Sequence, residues 1–126
     1  MHRLRLLLPC LVLGWTLLLP ALPARAVEAP YESRLVRLAE ILGSLHYLRN
    51  LCGEHGSKWR DEMDAILKSD NPDPETKAKL IASFNRGYRS YSDVYRTCTA
   101  SATAAIDRYM KEGAALSDDI VTRFGN

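Results

Sequence analysis

The run IASFNRGYRSYSDVYRTCTASATAAIDRY, residues 81–109, carries the most regular apolar pattern in this 126-residue chain. Ile81, Phe84, Tyr88, Tyr91, Tyr95, Cys98, Ala102, Ala105 and Tyr109 alternate spacings of three and four. That 3.5-residue period belongs to a helix gripped along its length by neighbours. The pattern predicts one long helix, or two nearly collinear ones, from Pro74 to about Glu112. Asp73 is placed to cap it, Pro74 suits the first helical position, and Glu75 sits where the helix dipole favours an acid. Gly87 costs roughly 1 kcal/mol in a helix interior and reads as a hinge.

Upstream, Leu35, Leu38, Ile41, Leu42, Leu45, Leu48 and Cys52 form one stripe, with Arg34, Arg37, Glu40 and Arg49 largely outside it. They predict a first helix over Ser33–Cys52, after a frayed lead-in, capped by Ser33 and stopped by Gly53-Glu54-His55-Gly56. Trp59, Met63, Ile66 and Leu67 share one face of a second, shorter helix that Ser57 can cap and Asp70-Asn71-Pro72 ends. Downstream, Gly113 ends the long helix, and Ser117-Asp118-Asp119 caps a short last one carrying Ile120, Val121 and Phe124. Nothing alternates with period two. The fold expected is all-α, a small antiparallel helical bundle of three main helices plus a short C-terminal helix.

The first 26 residues stand apart. Met1-His2-Arg3-Leu4-Arg5 is a basic start, Leu6 to Leu19 is almost unbroken apolar sequence, Pro20 and Pro23 break it, and Ala24-Arg25-Ala26 offers small residues for a cut before Val27. This is the layout of a cleavable export signal. An uncleaved anchor would want roughly 20 apolar residues, more than the segment holds, so no stable membrane span is expected after cleavage. Cys10 follows Pro9 inside the apolar core, which argues against lipidation. Removing residues 1–26 takes away three basic side chains and no acid, leaving fourteen basic against fifteen acidic, a net charge of −1 in place of +2. Basicity therefore gives no ground for nucleic-acid binding.

Cys52 and Cys98 remain, in a chain expected to reach an oxidising periplasm, and a disulfide between them is the direct reading. It would close a loop of about 47 residues, and the chain-entropy model assigns such a loop on the order of 4 kcal/mol. A redox pair would want closer spacing, such as C-x-x-C. Cys98 lies 24 residues beyond Pro74, about 36 Å of ideal helix. The second helix covers only about 18 Å of that distance. Reaching Cys52 thus requires an extended connector after the second helix, or a bend at Gly87.

Two dense stretches could carry binding. Arg86, Arg89 and Arg96 form a stripe beside the tyrosine seam, suited to a carboxylate or sulfate because guanidinium forks onto oxyanions. His46, Arg49 and Trp59 cluster near the first hairpin turn. The plain alternative is a wet seam edge with arginines paired to nearby acids. His46 and His55 are nine apart across a glycine turn, so no metal is expected. There is no C-x-x-C-H haem motif, nucleophile elbow, P-loop or dinucleotide fingerprint, and no cofactor is expected.

The segments Leu38 to Arg49 with Leu51-Cys52, Trp59-Arg60 with Met63, Phe84 to Arg89, and Tyr95 to Thr99 resemble a family of small exported alphaproteobacterial proteins of unknown function with two well-separated cysteines. The likeness spans about Leu38 to Ala105. It implies a periplasmic protein with Cys52 and Cys98 bridged, and no catalytic or binding residue. The combined expectation is a non-catalytic periplasmic module that binds an envelope protein or an anionic envelope component. The alternatives are a small cell-wall-acting enzyme or accessory subunit, and a chaperone-like helical protein.

Mass spectrometry of the exported protein is expected to show a chain starting at Val27, two hydrogens lighter than its reduced form. A retained leader, or two free thiols, would contradict the reading.

Overall fold

The leucine stripe of the first helix is the core. Leu35, Leu38, Ile41, Leu42, Leu45 and Leu48 are all buried, and Trp59 and Met63 close over them from the next helix. The computed structural model describes residues 25–125, with side-chain surroundings from residue 30 onward. The expected leader, with Cys10, falls outside these residues apart from its last two positions, Arg25 and Ala26. Four helices follow in order: α1 Arg25–Leu51, α2 Lys58–Asp70, α3 Pro74–Ser92 and α4 Ala100–Phe124. Among the described residues there is no strand. The all-α bundle and the Cys52–Cys98 bridge, with Cα atoms 5.0 Å apart, are as expected.

The turns follow local chemistry. Gly53 and Gly56 take φ of +104° and +136° after α1, a region closed to most side chains. Asn50 clamps this turn by accepting the Gly56 N–H at 2.9 Å and donating to the Gly56 carbonyl at 3.0 Å. Asp73 caps α3 by accepting the Thr76 N–H at 2.8 Å, and Thr99 caps α4 by accepting the Ala102 N–H at 3.1 Å. Ser57 precedes α2 without a side-chain cap bond; its hydroxyl donates to Asp61 instead, at 2.9 Å.

Three expectations about element limits are corrected. First, α1 starts at Arg25, and Ser33 lies inside it, donating its hydroxyl to the Pro30 carbonyl at 3.0 Å. Tertiary contacts hold this end helical: the Tyr31 hydroxyl donates to Asp70, and Arg34 Nε donates to Asp119 at 2.6 Å. Second, the stretch from Pro74 to Glu112 is neither one helix nor two collinear ones: α3 and α4 are separated at residues 93–99 and run in opposite directions, and Gly87 is not a hinge. Cys98 sits in that break, so the chain reaches Cys52 by ending α3, with neither a bend nor a long extended connector. Third, Gly113 does not end a helix. It lies within α4, where its missing Cβ would stand 3.3 Å from Ile41 Cγ2, so it lets α4 lie close on α1. The Ser117-Asp118-Asp119 segment is likewise internal, and the separate short C-terminal helix does not exist.

Consecutive helices run in opposite directions, and α1 is the hub on which the other three pack. The most extensive pairing, α1 with α3, is between parallel helices. Its rungs keep an almost constant offset: Lys79 donates to Glu32 at 2.8 Å, Ser83 Oγ to the Val36 carbonyl at 2.8 Å, and the Tyr47 hydroxyl to the Tyr95 carbonyl, before Cys52 meets Cys98. α4 runs back along α1, with Arg37 on Glu112 at 2.7 Å, Arg34 on Asp119, and Tyr31 edge-on to Phe124.

Small residues set the α1–α3 distance. Ala39, Gly43 and Ser44 on α1 face Ser83 and Gly87 on α3; Ala39, Ser44 and Ser83 are each 1% exposed. A Cβ at Gly87 would stand 2.0 Å from the Glu40 carbonyl oxygen, and one at Gly43 would stand 1.9 Å from the Phe84 carbonyl oxygen. The buried face of α3 is accordingly Leu80, Ser83, Phe84 and Gly87. The apolar seam read from sequence lies partly outside it: Ile81 is 41% and Tyr88 36% exposed.

Replacing either glycine by alanine gains about 1 kcal/mol of helix propensity but drives a methyl into backbone. Overpacking of this kind costs about 1–3 kcal/mol or more. Gly87→Ala and Gly43→Ala are therefore expected to lower the melting temperature by several degrees, whereas Arg89→Ala should leave it within error. Equal melting of all three would refute the close approach.

Candidate functional site

The six side chains proposed from sequence do not form one surface. His46 lies half-buried between α1 and α3, its ring centroid 5.9 Å from Phe84 and 5.8 Å from Tyr88. Burial, followed by the positive charge of Arg60, pushes its imidazole below the ordinary value, while Asp61 pulls the other way. Its Nδ1 is buried and has no hydrogen-bond partner among the described residues. Arg49 is ion-paired with Glu54 at the end of α1. Trp59 is a core residue, 9% exposed, and its Nε1 is also without a partner among the described residues.

Arg86 turns toward α1, donating to Ser83 Oγ at 3.1 Å and lying 3.8 Å from Glu40. Arg89 and Arg96 are exposed, the first on α3 and the second in the break before α4, and neither is ion-paired among the described residues. Of the tyrosines beside them, Tyr88 is 36% exposed, whereas Tyr91 and Tyr95 are committed to packing. Tyr91 stacks on Tyr95 at 5.9 Å and donates its hydroxyl to Tyr109 at 2.8 Å. Burial, then the Tyr109 hydroxyl, pushes the Tyr91 phenol up to about 12.

One concavity of about 430 Å³ lies beside His46, lined by Tyr47, Asn50 and Tyr88 among others; a longer apolar one runs on the side of α1 where α2 and α4 come alongside. Two adjoining cavities, of about 240 and 380 Å³, share Leu38, Glu62 and Ser117. The first is floored by Ile41, Leu42 and Leu45 and walled by Trp59 on α2 and Met110 and Ala114 on α4. The second continues past Leu35 to Tyr31, with Ile66 on one wall and Ile120 and Val121 on the other. Together they follow α1 from Tyr31 to Leu45, about 21 Å of helix. Met110 and Val121 stand exposed at the rim, Val121 by 67%. The groove went unseen in the sequence because α4 was expected to stop at Gly113. Yet Ile106, Met110, Gly113, Ser117, Ile120 and Phe124 keep helical spacing straight through that glycine, and this was the available signal.

A polar concavity of about 550 Å³ sits at the α1–α2 turn, lined by Glu54, His55, Ser57, Lys58, Asp61 and Glu62 among others. Among the described residues no group of three or more His, Cys, Asp or Glu side chains is placed to hold a metal ion. No described helix is long and apolar enough to cross a membrane.

A family described as proteins of unknown function (DUF2385) matches residues 30–124. No curated protein and no solved structure matches the chain.

Because burial lowers the His46 pKa in the folded state, the unfolded chain binds the extra proton more readily, and His46 costs stability as pH falls through its unfolded value near 6.5. Urea melts are expected to lose more stability between pH 7.5 and 5.5 in the wild type than in His46→Gln. Identical losses would remove His46 from the pH response.

Proposed function

We propose that this chain, which belongs to the DUF2385 family, is a non-catalytic periplasmic helical module that binds a protein of the cell envelope. Export is supported by the leader-like first 26 residues and by the pairing of Cys52 with Cys98, a bond that persists in oxidising compartments. The observation that carries the binding reading is the groove between α2 and α4. It has an apolar floor, and Met110 and Val121 are left exposed along its rim. An apolar-floored concavity with exposed apolar side chains at its rim is the kind of surface on which a partner's side chains can be buried.

A second reading has its own observation. Arg89 and Arg96 are exposed, with no carboxylate paired to them among the described residues, and could attract an anionic envelope component. The chaperone-like alternative is less favoured, because Phe84 is buried and Tyr91, Tyr95 and Tyr109 are packed on one another.

A crosslinked pull-down from envelope extract separates the two readings. Recovery of partners is expected to fall sharply with Val121→Asp and to persist with Arg89→Glu/Arg96→Glu. The reverse pattern would transfer the function to the arginine face, and equal recovery by all three proteins would defeat both.

A further inference from the structure

We infer that the α2–α4 groove seats one amphipathic helix of a partner protein, held by leucine-like side chains and carrying a lysine or arginine opposite Glu62. This rests on the protein-binding reading above and adds the chemistry of the partner.

The shape comes first. The floor residues Leu38, Ile41, Leu42 and Leu45 are each less than a tenth exposed, so the groove admits side chains and not a backbone. A helix laid over the ridges of α2 and α4 would present such side chains at i, i+3, i+4 and i+7, the recurring way in which an amphipathic helix reads an apolar groove. α2 and α4 each pack chiefly on α1. A helix lying over both would cover what they leave open. Met110 on the rim can adapt to the shape of the incoming side chains.

Charge then selects among occupants. Neither cavity is lined by a lysine, arginine or histidine; the charged groups on the two linings are Glu62 and Asp70. Asp70 already accepts the Tyr31 hydroxyl. Glu62 is exposed, borders both cavities and has no ion pair among the described residues. A carboxylate midway along an apolar groove favours a basic side chain at one position of the occupant and opposes an acidic one. The same carboxylate disfavours a second copy of this chain, since two-fold pairing of this face with itself would bring Glu62 toward Glu62.

The test uses the exported protein with its bridge intact and two synthetic amphipathic peptides of about five helical turns, roughly 18 residues. Both carry leucines at i, i+3, i+4 and i+7, and they differ only in a central lysine or glutamate beside the apolar face. Amide NMR shifts on α2 and α4, together with the Trp59 indole signal, report binding. The lysine peptide is expected to bind at least about tenfold more tightly than the glutamate peptide, a difference of about 1.4 kcal/mol. Glu62→Lys, a change at an exposed site, should invert that order. Equal affinities, an order that Glu62→Lys leaves unchanged, or shifts confined to α3 would overturn the inference. So would failure of both peptides to bind while Val121→Asp still abolishes envelope recovery; in that case the binding reading survives and only the occupant is wrong. Dimers in sedimentation that Val121→Asp dissociates would instead assign the groove to a second copy and end the proposal.

Discussion

The contact on which the rest of the molecule depends is the meeting of two backbones, α1 at Gly43 and α3 at Gly87. With a hydrogen in place of a methyl, each glycine lets a carbonyl of the opposite helix come within about 2 Å of where its Cβ would have been. Ser83 adds a hydrogen bond from one helix to the backbone of the other. Such close packing maximises dispersion contact and leaves little freedom of register. Once α1 and α3 lie parallel at that distance, α2 has only to return the chain to the start of α1. The Lys79–Glu32 pair, the Tyr47–Tyr95 bond and the bridge then fall into place as successive rungs of one ladder.

Most of the elements were legible because they depend on local chemistry. The leucine stripe of α1, the Trp59–Met63 face, the glycine turn at 53–56 and the Asp73 cap each follow from a few neighbouring residues. What escaped depended on partners. A glycine inside a helix reads as a weakness when only propensity is considered, so Gly87 looked like a hinge and Gly113 like an end; both are places where another helix comes close. The even spacing from Ile81 to Tyr109 also misled, since two separate helices happened to continue one period across a turn. The cysteine spacing already held the correction: Cys98 could reach Cys52 most simply if the chain turned near it.

The candidate site was less legible for a similar reason. Arginine and tyrosine draw attention as chemically capable residues, but their placement was inferred from one helix at a time. Arg86 turned out to face Glu40, and Trp59 to belong to the core. The groove, by contrast, is built from ordinary residues such as Met110, Ser117 and Val121, which carry no signal singly. It exists only because α4 continues far enough to form a second wall.

The bridge divides the chain topologically. Cys52 and Cys98 close a covalent ring that contains α2 and α3, and α1 and α4 leave that ring as two linear arms from nearly the same point. One arm, α1, is locked to the ring by the glycine contact and the core. The other is attached through Ala102, Ala105 and Ile106 near its root and, farther out, by partly buried Leu116 and Ile120, the Tyr31–Phe124 contact and the Arg37–Glu112 and Arg34–Asp119 pairs. Ion pairs on partly exposed side chains are individually weak and screened by salt. The outer half of α4 contributes no fully buried side chain, so it is held less firmly than the root, where Ala102, Ala105 and Ile106 are buried. Because that same half forms one wall of the groove, the wall is positioned by contacts that lie outside it, the Arg37–Glu112 and Arg34–Asp119 pairs among them.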